Sequence, residues 1–135
     1  MDFSKINYLA VFVAALSTFV LGGLWYSPLL FGKVWMRVNN FSESDVATFS
    51  KARMFGWSFI FALIMSLNLA MFLAAPGTNL TWGMAAGALT GVGWVAMAIA
   101  IIGVFENRSW AYILINGGYM IVAFVLMGAI LGVWR

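Results

Sequence analysis

Three long stretches without a charged residue limit what this chain can fold into more than any other feature. They cover residues 6–32, 54–105 and 109–134. A membrane-spanning helix needs about 20 consecutive apolar residues. The first and last stretches hold one span each, and the second holds two, separated by the turn-forming segment Ala-Pro-Gly-Thr-Asn at 75–79. The sequence therefore predicts four spans, at approximately 6–26, 54–75, 81–104 and 110–133.

The composition agrees with a lipid environment. Hydrophobic residues make up 64% of the 135 residues and charged residues 8%, whereas a soluble domain carries about 25% charged residues. The first apolar run exceeds the roughly 7–15 residues of a signal-peptide core, so we expect it to be a retained helix. The predicted fold is an all-α, polytopic transmembrane four-helix bundle, with residues 1–135 forming a single integral membrane domain.

The distribution of cations predicts the orientation. Segments 27–53 and 105–109 fall on one side of the membrane and carry five of the seven Lys and Arg residues. Because cytoplasmic loops are enriched in Lys and Arg, we expect these segments to be cytoplasmic and both termini to lie outside. The expected location is the plasma or inner membrane of the cell. The five cations are Lys33, Arg37, Lys51, Arg53 and Arg108.

Aromatic and cationic residues crowd together directly after the first span. Ser27 and Pro28 end the helix, because the residue before proline avoids the α region. A short amphipathic helix should follow, with apolar residues on one face and cations on the other. It is interpreted either as an interfacial anchor on the membrane surface or as a gate or docking element that covers the cytoplasmic end of the bundle. The anchor residues are Trp25, Tyr26, Lys33, Trp35 and Arg37.

A second helix start follows this segment. Ser42 and Asp45 have the spacing of a capping box, with Asp in place of the usual Glu. We expect a helix to begin near Glu43 and to run through Lys51 into the second span.

Glu106 is the acidic residue closest to the membrane interior. It follows the third span, where the helix dipole disfavours a carboxylate. We therefore expect it to pair with a cation of the same face, either as a structural ion pair or as part of a proton or cation site. The candidate partners are Lys33, Arg37, Arg53 and Arg108.

Polar side chains inside the spans are the candidates for a binding site. An amide in lipid needs hydrogen-bond partners, so we expect Asn68 and Asn116 to face the bundle. One interpretation is that they form separate interhelical hydrogen bonds. The other is that they converge with Thr90 and Tyr119 to line a polar pocket.

Small residues recur at every fourth position in all four spans, a pattern that allows helix backbones to approach closely in lipid. We expect a tight bundle, with one stripe of small residues available for self-association. The stripes are Ala10, Ala14, Thr18 and Gly22; Ser58, Ala62, Ser66, Ala70 and Ala74; Gly83, Gly87 and Gly91; and Gly128 and Gly132.

Three segments together resemble the DUF1761 family, a group of small four-span membrane proteins of uncharacterised function. They are GGLWYSPLLFGKVW at 22–35, FENRSW at 105–110 and INGGYMIVAFVLMGAILGVW at 115–134. In the family a Gly-Tyr pair is often followed by histidine, whereas Gly118-Tyr119 precedes Met120 here. The resemblance implies the four-span fold and assigns no catalytic, cofactor-binding or metal-binding residue.

The chain contains no His and no Cys, which removes common catalytic groups and metal and haem ligands. We therefore expect no enzyme activity, no metal and no cofactor. The expected function is a non-catalytic accessory or lipid-interacting role, and the alternative is an oligomeric channel or transporter for a small neutral or hydrophobic solute. The expected partners are the lipid bilayer and either further copies of the chain or another membrane protein, but not nucleic acid.

Overall fold

A computed structural model describes residues 2–135, and all the regular elements in this part of the chain are helical. Four helices are long and apolar enough to cross a membrane, which confirms the prediction of an all-α chain with four spans. The long helices are α1 (Tyr8–Trp25), α4 (Lys51–Phe72), the third span Leu80–Phe105, and α7 (Trp110–Val133). Two short helices, α2 (Gly32–Val38) and α3 (Glu43–Ala47), connect α1 to α4.

Side-chain caps explain where the long helices begin. In each case an Asn or Ser side-chain oxygen accepts a hydrogen bond from the backbone N–H three residues later. Such a cap satisfies one of the backbone donors that a helix start leaves without a partner. The capping residues are Asn7, Ser50, Asn79 and Ser109.

Two asparagines end helices in the left-handed backbone conformation. Asn40 follows α2 with φ 56° and Asn107 follows the third span with φ 55°. Each lies in a Schellman motif: Phe41 N–H bonds to Met36 O at 2.9 Å, and the equivalent bond after the third span is 2.8 Å long. Asparagine tolerates this conformation better than most residues, so these local sequences set sharp helix ends.

The connection between α3 and α4 differs from the prediction of one continuous helix. The predicted capping box of Ser42 and Asp45 is confirmed, and the Ser42 backbone N–H and hydroxyl lower the pKa of the Asp45 carboxyl. However, α3 ends at Ala47, and the Thr48 hydroxyl donates to Asp45 O at 2.6 Å. Ser50 then caps a new helix. The prediction of continuity was wrong because two hydroxyl side chains satisfy backbone groups at the break.

The third span and α7 form a hairpin in which the two backbones touch. Gly83 and Gly128 face each other, and a Cβ atom on either would collide with the carbonyl oxygen of the other. A Cβ atom on Gly132 would approach Asn79 O to 2.6 Å. The glycines of both helices therefore act as the contact surface of the hairpin, which is the close approach that small-residue stripes allow in lipid.

Helix α1 packs between α4 and α7 through small residues. Ala10, Ala14 and Ser66 have no exposed surface, and the Ser66 hydroxyl donates to Val11 O at 2.9 Å. The stripes of α1 and α4 are thus used within the chain, as are those of the hairpin. Among residues 2–135, no stripe predicted for self-association is left without a contact in the same chain.

The elements leave two distinct ends. At the terminal end, defined by residues 2–7, 73–79 and 134–135, the backbone N–H of Asp2 bonds to Ala74 O at 3.3 Å. The Arg135 guanidinium donates to Leu73 O and Ala75 O at the same place. The opposite end, which we call the charged end, consists of residues 26–53 and 105–109. Both termini therefore lie on one side of the bundle.

The third span is not a regular α-helix. It consists of α5 (Leu80–Thr90), a π-helical turn (Gly91–Ala96) and α6 (Met97–Phe105). Just before the turn, the Thr90 hydroxyl donates to Ala86 O at 2.8 Å. Such a bond from a Thr side chain to the carbonyl four residues earlier often accompanies a bend in a helix.

Candidate functional site

A cavity of about 430 Å³ lies between α1, α4 and α7 near the charged end, covered by residues of α2 and α3. Its walls combine aromatic and aliphatic side chains with an amide, hydroxyls and one lysine. A concave site with a few polar groups is the usual form of a small-molecule site. The residues around it are Thr18, Phe19, Gly22, Gly23, Tyr26, Trp35, Val46, Lys51, Met54, Phe55, Ser58, Asn116 and Tyr119.

Hydrogen bonds between α1 and α7 fix the inner wall of the cavity. The Tyr26 hydroxyl donates to Asn116 Oδ1 at 2.7 Å, and the Tyr119 hydroxyl donates to Thr18 O at 3.0 Å. The Trp25 indole N–H donates to Ile115 O at 3.0 Å. Because these bonds join residues about 90 positions apart or more in the sequence, they hold the two helices in a defined register at this level.

Gly22 allows Tyr119 to lie against α1. A Cβ atom at this position would stand 3.1 Å from the Tyr119 hydroxyl oxygen. The Tyr26 and Tyr119 rings are 5.3 Å apart with an interplanar angle of 65°, an edge-to-face arrangement favoured by their quadrupoles. The two phenol groups therefore form a packed aromatic wall.

Two side chains of the cavity have hydrogen-bond donors that make no bond within residues 2–135. Asn116 uses its Oδ1 for Tyr26, while its Nδ2 makes no hydrogen bond within residues 2–135. Lys51 is exposed at the rim and takes part in neither of the two salt bridges in the described chain. An amide has two N–H donors and an ammonium has three, so the site presents donors to an incoming acceptor.

The cavity continues towards the middle of the bundle as a second hollow of about 170 Å³. Thr18, Phe19, Ser58 and Tyr119 border both spaces. The other residues that line this hollow are apolar and include Ala123, which has no exposed surface. The core cluster of the bundle includes the fully buried Met127. The site is therefore a cleft near the charged end, and the buried core lies between it and the terminal end.

The structure brings together two of the four residues proposed for a polar pocket. Asn116 and Tyr119 line the cavity, but Asn68 and Thr90 do not. Asn68 is exposed and donates to Ile64 O at 2.9 Å, and Thr90 bonds to its own helix in the same way. The expectation that all four converge, and that Asn68 faces the bundle, is corrected. Each side chain outside the cavity satisfies its polar group with a carbonyl one turn earlier.

Glu106 lies within ion-pair distance of only one of its four candidate partners. Arg108 Nε is 3.4 Å from Glu106 Oε2, and both side chains are substantially exposed. The Arg108 guanidinium also lies over the Tyr112 ring, 4.7 Å from its centroid. Neither salt bridge in residues 2–135 includes Arg53, Lys33 or Arg37. The pair is local to the hairpin, and such exposed pairs contribute about 0–1 kcal/mol.

The predicted anchor residues divide into two groups. Trp25, Tyr26 and Trp35 are half-buried and pack on other aromatic rings of the protein, while Lys33 and Arg37 are exposed. The Trp35 ring lies 6.0 Å from that of Tyr26. Helix α2 therefore presents Trp35 to the cavity and its cations to the surroundings.

Sequence reasoning missed the contribution of four residues to the cavity. Phe19 and Phe55 have no feature that separates a cavity wall from a lipid-facing surface. Lys51 entered the sequence argument only as an orienting cation, although its position at the first turn of a span places it at a rim. Gly22 was recognised only as a member of a small-residue stripe.

A family model described as a protein of unknown function, DUF1761, matches residues 9–132. No curated protein and no solved structure matches the chain. The matched region covers all four spans and both connections at the charged end. It therefore confirms the resemblance carried by segments 22–35, 105–110 and 115–134. The chain belongs to the DUF1761 family.

Proposed function

We propose that this protein is a non-catalytic membrane protein that binds a lipid or another small amphipathic molecule in the cavity between α1, α4 and α7. The observation that carries the proposal is the pairing, in one cavity, of apolar walls with donors that have no partner among residues 2–135. Asn116 Nδ2 and the Lys51 ammonium are those donors.

The shape of the cleft supports an elongated ligand. Phe19, Met54 and Phe55 border its outer part, and the inner hollow continues between Met65 and Ala123. A hydrocarbon chain would gain the usual stabilisation from apolar contact in the hollow. A head group with hydrogen-bond acceptors would lie near Asn116 and Lys51.

The non-catalytic part of the proposal depends on the groups that the sequence offers. The chain lacks His and Cys, and the two tyrosine hydroxyls of the cavity donate to protein acceptors. Within residues 2–135 no cluster of three or more metal-binding side chains occurs. Binding requires only the groups present, whereas acid–base catalysis would need a group whose pKa lies near the working pH.

A second candidate function is the transport of a small neutral or hydrophobic solute. The observation that favours it is the position of the cleft, which lies near the charged end with the core around Met127 between it and the terminal end. A carrier that alternates between two open states would have such a shape in one of them. Solute flux into liposomes containing the purified protein would support this candidate over simple binding.

Substitution of the cavity amide tests the binding proposal. Asn116→Leu removes the free donors and fills part of the cavity, and the loss of one hydrogen bond costs about 1 kcal/mol, or roughly fivefold in affinity. We expect native mass spectrometry in mild detergent to find an amphipathic molecule on the wild-type protein and much less on this variant.

Asn68→Leu is the matched control, because it replaces the same residue type on an exposed helix face outside the cavity. It should leave the bound molecule in place. A wild-type protein that carries no ligand, or equal retention by the two variants, would contradict the proposal.

We further propose that the charged end faces the cytoplasm of the plasma or inner membrane. Five of the seven cations lie in segments 27–53 and 105–109, and cytoplasmic loops are rich in Lys and Arg. The chain has no Cys, so single Cys substitutions can report the side. In intact cells a membrane-impermeant thiol reagent should label Ser4→Cys and not Ser44→Cys. The reverse pattern would place the charged end outside.

A further inference from the structure

A second, shallow cleft lies open at the surface of the charged end, between the last turn of α2 and the hairpin that joins α6 to α7. It shares no residue with the cavity between α1, α4 and α7. An inference about this cleft therefore does not depend on the proposed function.

Two guanidinium groups from separate elements border the cleft. Arg37 comes from α2, and Arg108 comes from the hairpin. Arg108 lies beside Glu106 and over the Tyr112 ring, and within residues 2–135 the single hydrogen bond of its side chain uses Nε. Its two terminal nitrogen atoms make no hydrogen bond within residues 2–135, so the outer edge of the fork is available to an anion.

Neutral donors complete the lining. Asn40 and Asn107 occupy the two left-handed positions that end α2 and the third span, and both border the cleft. Neither side chain makes a hydrogen bond to any residue from 2 to 135. The Ser109 hydroxyl accepts from Tyr112 N–H at 3.2 Å and keeps its own proton for donation. Five side chains with hydrogen-bond donors thus border the cleft, and the carboxylate of Glu106 is the one acidic group beside them.

We propose that this cleft binds the phosphate group of an anionic ligand. A tetrahedral phosphate presents several oxygens in different directions, so it can bridge two guanidinium groups and accept from amides at the same time. Phosphate in this position would come from an anionic phospholipid head group or from a soluble phosphate compound.

The proposal is tested by titrating phosphatidylglycerol into the detergent-solubilised protein and measuring bound lipid by native mass spectrometry, with phosphatidylcholine as the zwitterionic comparison. Arg37→Gln and Arg108→Gln should each weaken binding of phosphatidylglycerol about tenfold, as expected for the loss of a hydrogen bond to a charged group. Phosphatidylcholine carries the same phosphate together with a choline cation that the arginines repel, so it should bind more weakly and its affinity should change less.

Lys33→Gln is the matched control. It removes one exposed cation from the same short helix as Arg37, but Lys33 does not border the cleft. Its affinity for phosphatidylglycerol should stay within about twofold of the wild type, since a screened surface charge contributes little. If this variant loses as much affinity as Arg37→Gln, or if neither arginine variant loses any, the binding is general surface attraction and the proposal is wrong.

A thermal-shift experiment distinguishes a soluble phosphate ligand from a lipid head group. Glycerol 3-phosphate and inorganic phosphate are added to the wild-type protein and to Arg37→Gln, and the thermal unfolding midpoint is measured. A rise in the midpoint that the substitution abolishes would support a soluble phosphate ligand. No rise, together with arginine-dependent binding of phosphatidylglycerol, would support the lipid head group. If Arg37→Gln changes neither the effect of the soluble phosphates on the midpoint nor the binding of phosphatidylglycerol, the proposal is wrong.

Discussion

Gly128→Ala is expected to lower the thermal stability of the protein sharply. The new methyl group would collide with the carbonyl oxygen of Gly83 and come within 3.4 Å of the Gly87 Cα. Both neighbours are backbone atoms, so no side-chain rotation can make room. Overpacking of this kind costs roughly 1–3 kcal/mol, and here it would separate the third span from α7. The thermal unfolding midpoint in a fixed detergent measures the effect.

Gly56→Ala and Gly23→Ala provide the controls, because no atom lies within 4 Å of a Cβ built at either position. Alanine is the better helix former by roughly 0.5–1 kcal/mol. These two variants should therefore unfold at the wild-type temperature or slightly above it. If Gly128→Ala matched them, the direct backbone contact between α5 and α7 would not exist.

The second large effect is expected for Trp25→Ala. The Trp25 indole lies on the backbone of α7, with its Cζ2 atom 3.2 Å from a Cβ built at Gly118, and its ring centroid is 4.8 Å from that of Phe31. Its N–H donates to Ile115 O. Truncation removes these contacts and leaves a void beside the cavity. The loss of a buried ring costs about 3–5 kcal/mol, and because Trp25 is half-buried we expect the lower end of this range. Trp25→Phe keeps a ring and loses only the hydrogen bond and some contact area, so it should have an intermediate unfolding midpoint.

Trp110→Ala is the control for this residue. Trp110 begins α7 and is 69% exposed, so its loss should change the unfolding midpoint little. The comparison also separates two roles for Trp25. Equal tolerance of both truncations would mean that Trp25 is a surface anchor, as its sequence position suggests, and that its contact with α7 contributes little.

Signals contained in a few neighbouring residues were readable from the sequence. The charge-free stretches locate the four spans, because a charge in hydrocarbon is costly. The turn at Pro76-Gly77 has Gly77 at φ 83°, a conformation that glycine adopts without strain. The capping box of Ser42 and Asp45 likewise needs no distant partner. Each of these features depends only on residues that are close together in the sequence.

Features that depend on which helix face meets which neighbour were not readable. Asn68 was expected to face the bundle and Thr90 was a candidate for the polar pocket, but each bonds to a carbonyl of its own helix. Because a bond within the same helix pairs the polar group, the side chain does not need a partner on another helix. Similarly, Trp25 and Tyr26 have the same sequence signature whether their polar atoms reach lipid head groups or the carbonyl and amide of α7. Only the register between α1 and α7 decides between these outcomes.

Only the α7 wall of the cavity was predicted, for the same reason. Asn116 and Tyr119 lie three residues apart on α7, so they share a face wherever that face points. The other walls come from α1, α3 and α4, whose angles around α7 follow from the contacts of Gly22 and Ser66. No local pattern encodes those angles.

The wide turn at Gly91–Ala96 has a consequence for the length of the third span. With 26 residues this span is two residues longer than α7, and as a straight α-helix it would measure about 39 Å against a hydrocarbon thickness of about 30 Å. From Gly87 to Ala96 the chain advances nine residues, while their contacts on α7, Phe124 and Gly117, are seven residues apart. A π turn places more residues in each turn of helix. The turn thus takes up the two extra residues that the third span has over this stretch of α7.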